Sequence, residues 1–349
     1  MKFDSILSVI KHCATISAQN LNHTDHYAFL IDSVLVAFTN PKFIIDLQDY
    51  KASSSKLLFL VDHVKRNYTF QDWCASKSER EMHLAIMLDE FRENSIWPPL
   101  KKWRNELYPI YGSLTEKDGI FCSLERASAQ IFGFRTFGVH LNGYLKLSPS
   151  EKTPFQTPNS LLADYGIESF TKPTLNYPTN FEIKMWIGKR SKSKPLYPSM
   201  LDQIVAGGIS SGETPLNSLF RECDEEAGIP QHIVEKSSPC GTVQYCTNVS
   251  KYGFVYQPET QYVYDLQMPL DFVPVPKDGE VEDFYLLSME QIYTLMLAGY
   301  FKPNCALIII DFMIRFGFIS PETEPDYLQI VDSLHTTLPF PGPPSKKSN

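Results

Sequence analysis

The sequence predicts an α/β fold with a mixed sheet, preceded by a smaller α+β region at the amino terminus. Three observations support this prediction. An amphipathic helix is expected over residues 214–228, segments of alternating apolar residues lie on both sides of it, and one of these segments leads into a helix-start signal at Ser288. The chain has 349 residues, which is long enough for two domains.

Residues 1–145 are assigned to an amino-terminal α+β domain of unknown role. Apolar and β-branched residues predict strands at 29–38 and 43–47. Apolar residues at helical spacing between Met82 and Phe91 predict a helix. This part contains no catalytic motif, so its aromatic residues are interpreted as core.

Residues 146–335 are assigned to a second, catalytic domain, and residues 336–349 to a disordered tail that is rich in proline. Strands are predicted at 181–188, 242–248, 261–268 and 280–287. A capping box, Ser288-Met289-Glu290-Gln291, begins the helix that follows the last strand. A buried helix is predicted from Cys305, because Asp311 and Arg315 interrupt an apolar run that is too short to span a bilayer.

The helix over 214–228 has clear start and stop signals. Thr214 can act as the N-cap, Pro215 suits the first helical position, and Gly228 suits a left-handed C-terminal cap. One apolar stripe is formed by Leu216, Leu219, Phe220, Cys223 and Ala227. We therefore expect this helix to pack on the sheet through the stripe.

Three glutamates, Glu222, Glu225 and Glu226, share a second face of this helix, whereas Asp224 points elsewhere and Arg221 is expected to lie away from the three glutamates. Their mutual repulsion and the helix dipole each cost roughly 0.2–1 kcal/mol at an exposed site. A divalent cation would reverse that cost, and donors that are all oxygen suit Mg²⁺ or Mn²⁺ rather than zinc. A solvated acidic face is the alternative for three glutamates taken alone.

The segment GGISSGETPLNSLFRECDEEAGI, from Gly207 to Ile229, places these residues in a longer pattern. It matches G-x5-E-x7-R-E-U-x-E-E-x-G-U, where U is apolar, and so resembles the box of the Nudix family. The order of strands and helices is similar to the Nudix α/β/α sandwich. The resemblance implies that Glu222, Glu226 and Glu225 bind metal, and that Glu213, Arg221 and Gly228 are structural, with Glu213 and Arg221 tying the loop to the helix.

The resemblance extends to one subfamily of Nudix proteins, those related to the domain fused to thiamine pyrophosphokinase. Three segments carry it: KMWIGKRSKSKPLYPSMLDQIVAGGI, VYDLQMPLDFVPVPKDGEVEDFYLL and FGFRTFGVHLNGYLKLSP. It implies Mg²⁺-dependent hydrolysis of oxidised or analogue forms of thiamine diphosphate, such as oxythiamine diphosphate, to the monophosphate and phosphate. A nucleoside-diphosphate derivative as substrate, or a scaffold without activity, remain the alternatives.

The general base and the substrate contacts are less well defined by the sequence. Candidates for the base are Glu225, Glu280 and Glu282. Glu280 and Glu282 alternate onto one side of a predicted strand, where a solvated position beside a turn is as plausible as a catalytic role. The residues predicted to contact substrate are Arg190 and Lys192 in a basic loop, with Lys189 and Lys194 beside them, and Gly207 and Gly208, whose backbone can approach a ligand closely. Trp186 could stack on an aromatic heterocycle of the substrate, but ordinary packing in its strand is favoured. The alternative for the lysines is that they are only solvated.

Composition limits the partners. The net charge of −8 argues against a nucleic acid bound through a basic face, so we expect a small-molecule diphosphate substrate and neither nucleic acid nor membrane. Seven scattered cysteines show no zinc-binding spacing and are expected to be reduced and buried. The first residues lack the features of a signal peptide, which favours a cytoplasmic location. The sequence makes no prediction of the oligomeric state.

Overall fold

The structure is a computed structural model that describes residues 2–14, 26–151, 153, 155, 160–166, 175, 180–248 and 256–344. The helices in this part are α1 (Ile6–Cys13), α2 (Pro41–Gln48), α3 (Lys77–Glu93), α4 (Ala129–Phe132), α5 (Ser160–Asp164), α6 (Pro215–Ala227), α7 (Gln231–Val234), α8 (Met289–Leu297), α9 (Pro303–Arg315) and α10 (Tyr327–Leu334). The strands are β1 (Tyr27–Ile31), β2 (Val34–Thr39), β3 (Phe59–Asp62), β4 (Asn67–Phe70), β5 (Leu107–Tyr111), β6 (Ile120–Glu125), β7 (Thr136–Leu147), β8 (Glu182–Arg190), β9 (Leu201–Gln203), β10 (Val205–Gly208), β11 (Ser238–Asn248), β12 (Tyr256–Gln267) and β13 (Val281–Ser288).

A mixed sheet is the centre of the catalytic part. Among the described residues its main order is β11-β12-β7-β8-β13, with β10 paired to β7 and β9 paired to β8. Strands β12 and β7 are parallel, and the other pairs are antiparallel. The four strand predictions in this part are confirmed, and so is the capped helix that begins after Ser288.

Helices cover both faces of this sheet, as predicted for an α/β/α sandwich. Helices α1, α8, α9 and α10 pack on one face around residues such as Met185 and Val263. Helix α6, followed by α7, packs on the other face, where Leu219 and Cys223 meet Val139 and Leu141. The nearly continuous burial of α9 confirms the buried helix predicted from Cys305.

The predicted boundary at residue 145 falls inside a strand of the central sheet. Strand β7 runs without a break from Thr136 to Leu147 and pairs with strands on both sides. Helix α1 also belongs to the sandwich, because Ile6 and Ile10 lie in the same core as α9. The amino-terminal region therefore supplies a helix and a strand to the second domain, and 1–145 is not one structural unit.

A four-stranded sheet of order β2-β1-β4-β3 forms the amino-terminal region with α2, α3 and the β5–β6 hairpin. The single strand predicted at 29–38 is wrong, because Asp32 and Ser33 adopt positive φ and turn the chain into a hairpin. The strand predicted at 43–47 is also wrong, because this segment lies in α2. Asn40 caps that helix and Pro41 takes its first position.

The segment 336–344 is packed, in contrast to the disordered tail predicted from residue 336. Leu338 and Phe340 are buried together with Cys246 and Tyr256, and Arg135 Nη1 donates a 2.8 Å hydrogen bond to the carbonyl of Phe340. The apolar residues between the prolines therefore have a binding surface on β11 and β12. Residues 345–349 lie outside the described residues.

All seven cysteines are free thiols and six are buried, which confirms the prediction for all but the partly exposed Cys240. Trp186 is buried in the core between the sheet and α6, in line with the packing alternative. Over the described part of the chain, no helix has the length and apolar character needed to cross a membrane.

Candidate active site

Helix α6 is held at both ends by the residues that the sequence indicated. Thr214 Oγ1 accepts a 3.2 Å hydrogen bond from the amide of Asn217, and Pro215 occupies the first turn. Gly228 adopts a left-handed conformation at φ +61° and ends the helix. Leu219, Cys223 and Ala227 are buried as predicted, whereas Leu216 is exposed. The helix is thereby fixed in rotation against the sheet.

The three glutamates of α6 differ in burial. The Glu226 side chain reaches the outer edge of β10, where its Oε2 accepts a 2.9 Å hydrogen bond from the amide of Ala206, and the residue is 8% exposed. The Glu222 side chain is largely buried, and that of Glu225 is 51% exposed. The packing of α6 therefore brings two carboxylates to the strand edge and leaves the third at the surface.

Burial dominates the electrostatics of these carboxylates. Desolvation raises the pKa of Glu226 well above its ordinary value, and the charges of Glu222, Asp202 and Glu280 raise it further. Desolvation also raises the pKa of Glu222, although Arg221 opposes the effect. The carboxyl groups of Glu222 and Glu226 are thus crowded at this edge of the sheet, and the surrounding protein does not fully stabilise their ionised forms.

Arg221 ties the loop to the helix. Its Nε and Nη2 donate to the two carboxylate oxygens of Glu213 over 2.9 Å and 3.0 Å, and Ser218 Oγ donates to the same carboxylate over 2.6 Å. The sequence interpretation placed Arg221 away from the three glutamates, and this is wrong. Its Nη1 donates to Glu222 over 2.8 Å and to Glu225 over 3.2 Å, because the long side chain spans one helical turn.

Within the described ranges, no three His, Cys, Asp or Glu side chains are arranged as a ready metal-binding group, and Glu222 and Glu225 are hydrogen-bonded to Arg221. The donor set nevertheless fits a hard cation. The three side chains supply only oxygen donors. Burial and the charge of Glu222 raise the pKa of Glu226, and a cation would oppose both effects.

Gly207 and Gly208 have steric roles on opposite faces of β10. A Cβ at Gly207 would overlap the carboxylate of Glu222, and a Cβ at Gly208 would overlap the hydroxyl of Tyr108. Successive residues of a strand point to opposite faces, so the Glu222 carboxylate and the Tyr108 hydroxyl lie on either side of this strand. Both glycines are needed for close approach, and Tyr108 was not foreseen at the site.

Glu280 and Glu282 do not share one side of a strand, contrary to the prediction. A register shift between Val281 and Asp283 separates them, and Glu280 lies just before β13. The charge of Glu280 raises the pKa of Glu226, whereas the charge of Glu282 raises that of Tyr165. The charge of Glu280 therefore reaches Glu226, whereas Glu282 pairs with Lys189 and Lys192 of the basic loop.

The basic loop is occupied mainly by contacts within the protein. Arg190 donates to Asp202 over 2.7 Å and to the carbonyls of Tyr197 and Leu196, so all three guanidinium nitrogens are engaged. This arrangement corrects the prediction that Arg190 is available to a substrate. Lys192, by contrast, is 76% exposed and lies 3.8 Å from Glu282.

The remaining lysines of the loop hold the β13 carboxylates. Lys194 Nζ lies 2.5 Å from Glu280, and Lys189 Nζ lies 3.6 Å from Glu282. Although burial opposes it, Lys194 keeps the pKa of Glu280 below its ordinary value. Glu280 is thus held ionised at the edge of the site.

Asp202 and Lys302 form a buried ion pair that sequence reasoning missed. Their atoms Oδ2 and Nζ are 3.5 Å apart, and Asp202 is also paired with Arg190. Burial would raise the pKa of Asp202, but these two cations hold it well below its usual range. Lys302 precedes α9 in an otherwise apolar segment. A charged residue in such a segment was the only sequence signal for this ion pair.

Comparison with known proteins agrees with this site. Residues 175–304 match the model of the NUDIX domain, and residues 5–136 match that of a domain of unknown function, DUF4743. The chain is 33% identical to Nudix hydrolase 20, chloroplastic, of Arabidopsis thaliana, over 88% of this chain and 72% of the relative. It is 30% identical to Nudix hydrolase 24, chloroplastic, of the same plant, over 86% and 70%. It is also 30% identical to the uncharacterized protein YJR142W of Saccharomyces cerevisiae, over 93% and 86%.

The chain therefore belongs to the Nudix hydrolases, enzymes that act on pyrophosphate bonds and generally use divalent metal ions. The mixed α/β fold is the one expected for this class. The cytoplasmic location stays a prediction, since both plant relatives are named chloroplastic.

Proposed function

We propose that this hydrolase cleaves, with Mg²⁺, the diphosphate linkage of oxidised or analogue forms of thiamine diphosphate, such as oxythiamine diphosphate, to the monophosphate and phosphate. The observation that supports this reaction is that the carboxylates of Glu222 and Glu226, both largely buried, lie together at the outer edge of β10. There Glu226 is fixed by the amide of Ala206 at 2.9 Å.

In this proposal Glu222, Glu225 and Glu226 hold the metal. Bound Mg²⁺ supplies charge neutralisation on the phosphate oxygens and an oriented water. The protein contributes the fixed position of Glu226, which the amide of Ala206 sets, and the loop geometry, which the Arg221–Glu213 ion pair sets. Because Arg221 also contacts Glu222 and Glu225, it can balance their charge before the metal binds.

We place Glu280 ahead of Glu225 and Glu282 as the general base. Its charge acts on Glu226, and Lys194 lowers its pKa, so it is unprotonated. All three candidates are ion-paired, Glu280 with Lys194, Glu225 with Arg221 and Glu282 with Lys189, so the choice of Glu280 rests on its charge effect on Glu226. Glu280 thus acts electrostatically on Glu226, although it is not one of the three glutamates of α6.

One carboxylate on the sheet suits a cationic head group. Glu259 on β12 accepts hydrogen bonds from Tyr245 at 2.5 Å, Gln257 at 2.6 Å and Gln261 at 2.9 Å. Burial raises the pKa of Tyr108, which stands over Gly208, and the charge of Glu259 adds to this effect. The thiazolium ring of thiamine compounds is cationic, and a carboxylate on this side of the site complements it.

The family resemblance adds further support, because the three segments that indicate the subfamily contribute β7, β8, β10, β12 and β13 to the central sheet. The substrate would thus meet strands whose sequences are similar to those of proteins acting on thiamine diphosphate derivatives.

A substrate panel tests the proposal. Purified protein is incubated with Mg²⁺ and oxythiamine diphosphate, thiamine diphosphate, ADP-ribose or a nucleoside-diphosphate sugar, and phosphate and monophosphate release are measured. We expect the highest kcat/KM for oxythiamine diphosphate, loss of turnover with a chelator and its restoration by Mg²⁺. Efficient turnover of nucleotide sugars without oxythiamine diphosphate hydrolysis contradicts the substrate, and no turnover of any diphosphate contradicts the reaction.

Glu226→Gln provides the matched test of the site. It removes the charge while keeping the shape of the side chain, so we expect turnover to be lost and the fold to persist. Glu235→Gln, at an exposed position after α7, is the control for loss of one carboxylate from the same domain. Retention of activity in Glu226→Gln rules out the proposed metal site.

A further inference from the structure

The β5–β6 hairpin of the amino-terminal region is docked on the loop that leads into α6. The amide of Ser211 donates to the carbonyl of Leu107 over 2.7 Å, and Ser210 Oγ donates to Glu106 over 2.8 Å. The hydroxyls of Ser123 and Ser211 are 2.7 Å apart. A segment about a hundred residues earlier in the chain is thereby fixed against the glycine-rich loop of the site.

Tyr108 on β5 places its hydroxyl group at this loop. The residue is 6% exposed, and its hydroxyl occupies the space into which a side chain at Gly208 would project. The hydroxyl makes no hydrogen bond to another residue of the described part of the chain and is not sealed from solvent, so it can donate to a ligand. Burial raises the pKa of Tyr108, and the nearby charge of Glu222 raises it further, so it is a donor at neutral pH.

Arg126, which follows β6, adds a cation beside this hydroxyl. Its Nη1 lies 2.7 Å from Glu106, and its guanidinium group lies over the Tyr108 ring at 5.2 Å. The side chain is 42% exposed, and within the described residues its Nε and Nη2 have no hydrogen-bond partner. The charge of Arg126 also lowers the pKa of Glu222, so it acts directly on the site.

These donors complement the carboxylates of α6. A diphosphate bound at the edge of β10 would bring its negative charge close to the carboxylates of Glu222 and Glu226, so cationic donors are needed to bind it. Arg190 is occupied by Asp202, and Lys192 is exposed beside Glu282. Arg126 therefore offers two guanidinium nitrogens without a partner among the described residues, and a guanidinium with free donors suits phosphate oxygens.

We propose that the amino-terminal region completes the active site, with Arg126 and Tyr108 donating hydrogen bonds to phosphate oxygens of the substrate. Glu106 orients Arg126 through its carboxylate and, by accepting from Ser210, couples the hairpin to the loop. This inference rests on the proposed diphosphate hydrolysis, and it assigns to the amino-terminal region a part in substrate binding.

The test compares Arg126→Gln, Arg126→Lys and Tyr108→Phe with the wild-type protein and with Arg66→Gln. Arg66 packs on Tyr27 in the four-stranded sheet and is the matched control for an arginine of the same region. Two quantities are measured: kcat/KM for oxythiamine diphosphate with Mg²⁺, and the affinity for inorganic imidodiphosphate with Mg²⁺ by calorimetry. Near-UV circular dichroism checks the fold of each variant.

We expect Arg126→Gln to lower kcat/KM and imidodiphosphate affinity by about 10- to 100-fold, as for a lost charge-assisted hydrogen bond. Arg126→Lys should recover part of the loss, because the charge returns without the planar donor pair. Tyr108→Phe keeps the shape of the ring and should cost about 3- to 10-fold. Arg66→Gln should match wild type in both measurements.

Two failures are distinguishable. If the wild-type protein hydrolyses its substrate and both Tyr108→Phe and Arg126→Gln retain wild-type kcat/KM and imidodiphosphate affinity, the inference is overturned and the proposed function stands. If the wild-type protein hydrolyses no diphosphate, the proposed function fails, and the dependence of imidodiphosphate binding on Arg126 still decides whether the hairpin forms an anion site.

Discussion

Replacing Gly207 with alanine tests whether the close approach of Glu222 to β10 is required for activity. A Cβ at this position would lie 2.0 Å from Glu222 Cδ, whereas ordinary van der Waals contacts begin at 3.4 Å. The carboxylate must therefore move by about 1.4 Å, the difference of the two distances. The φ angle of Gly207 is not positive, so alanine itself fits the backbone and the perturbation is confined to the carboxylate.

A displacement of about 1 Å in a catalytic group can lower the rate by about 100-fold, or roughly 2.7 kcal/mol in activation free energy. We therefore expect Gly207→Ala to lower kcat/KM for the best substrate by at least about 100-fold while the melting temperature changes little. Phosphate release gives kcat/KM, and calorimetry gives Tm. Gly342→Ala is the control, because the nearest atoms to its Cβ are at 3.7 Å. Activity of Gly207→Ala within about twofold of wild type would refute the steric reasoning.

Two further predictions concern stability. Burial lowers the pKa of His140 from 6.5 to about 4; the charge of Lys302 lowers it as well, and the charge of Asp202 opposes the shift. Between pH 4 and pH 6.5 the folded protein therefore binds fewer protons than the unfolded chain. The stability that depends on neutral His140 is present above pH 6.5 and lost as the pH falls to 4, by up to about 3 kcal/mol. Urea unfolding at several pH values should therefore show a flatter profile for His140→Gln, and parallel profiles would contradict the assignment. Phe340→Ala should lower the free energy of unfolding by about 3 kcal/mol, as expected for an aromatic ring removed from a core, whereas the exposed Leu328→Ala should have little effect. Equal stability of these two variants would show that residues 336–344 do not contribute to the fold.

The sequence predicted α6 and its three glutamates because every signal for them is local. Thr214, Pro215 and Gly228 set the ends of one helix, and the helical repeat then fixes which side chains share a face. The position of Arg221 was wrong for a related reason. Helical geometry gives the direction in which a side chain leaves the backbone, but a long arginine side chain can reach a neighbouring face, where it meets Glu222 and Glu225.

The candidates outside α6 depended on contacts that no local pattern reports. Alternation placed Glu280 and Glu282 on one side of a strand, but a register shift after Val281 changed which of them faces the site. Arg190 was a reasonable phosphate ligand on its residue type alone. Its true partner is Asp202, a carboxylate twelve residues later that becomes its neighbour only when β8 pairs with β9.

The amino-terminal region gave no functional signal because its contacts with the site are also distant in sequence. Neither Tyr108 nor Arg126 lies in a motif, and each gains a possible function only because the hairpin meets the loop before α6. The box supplies metal-binding carboxylates and a glycine-rich strand edge, but it contains one arginine, and Glu213 binds that arginine. A diphosphate substrate still needs cationic donors, and Arg126, which has free N–H groups among the described residues, comes from outside the box. On the proposal above, substrate binding depends on how the two regions of the chain pack together as well as on the box itself.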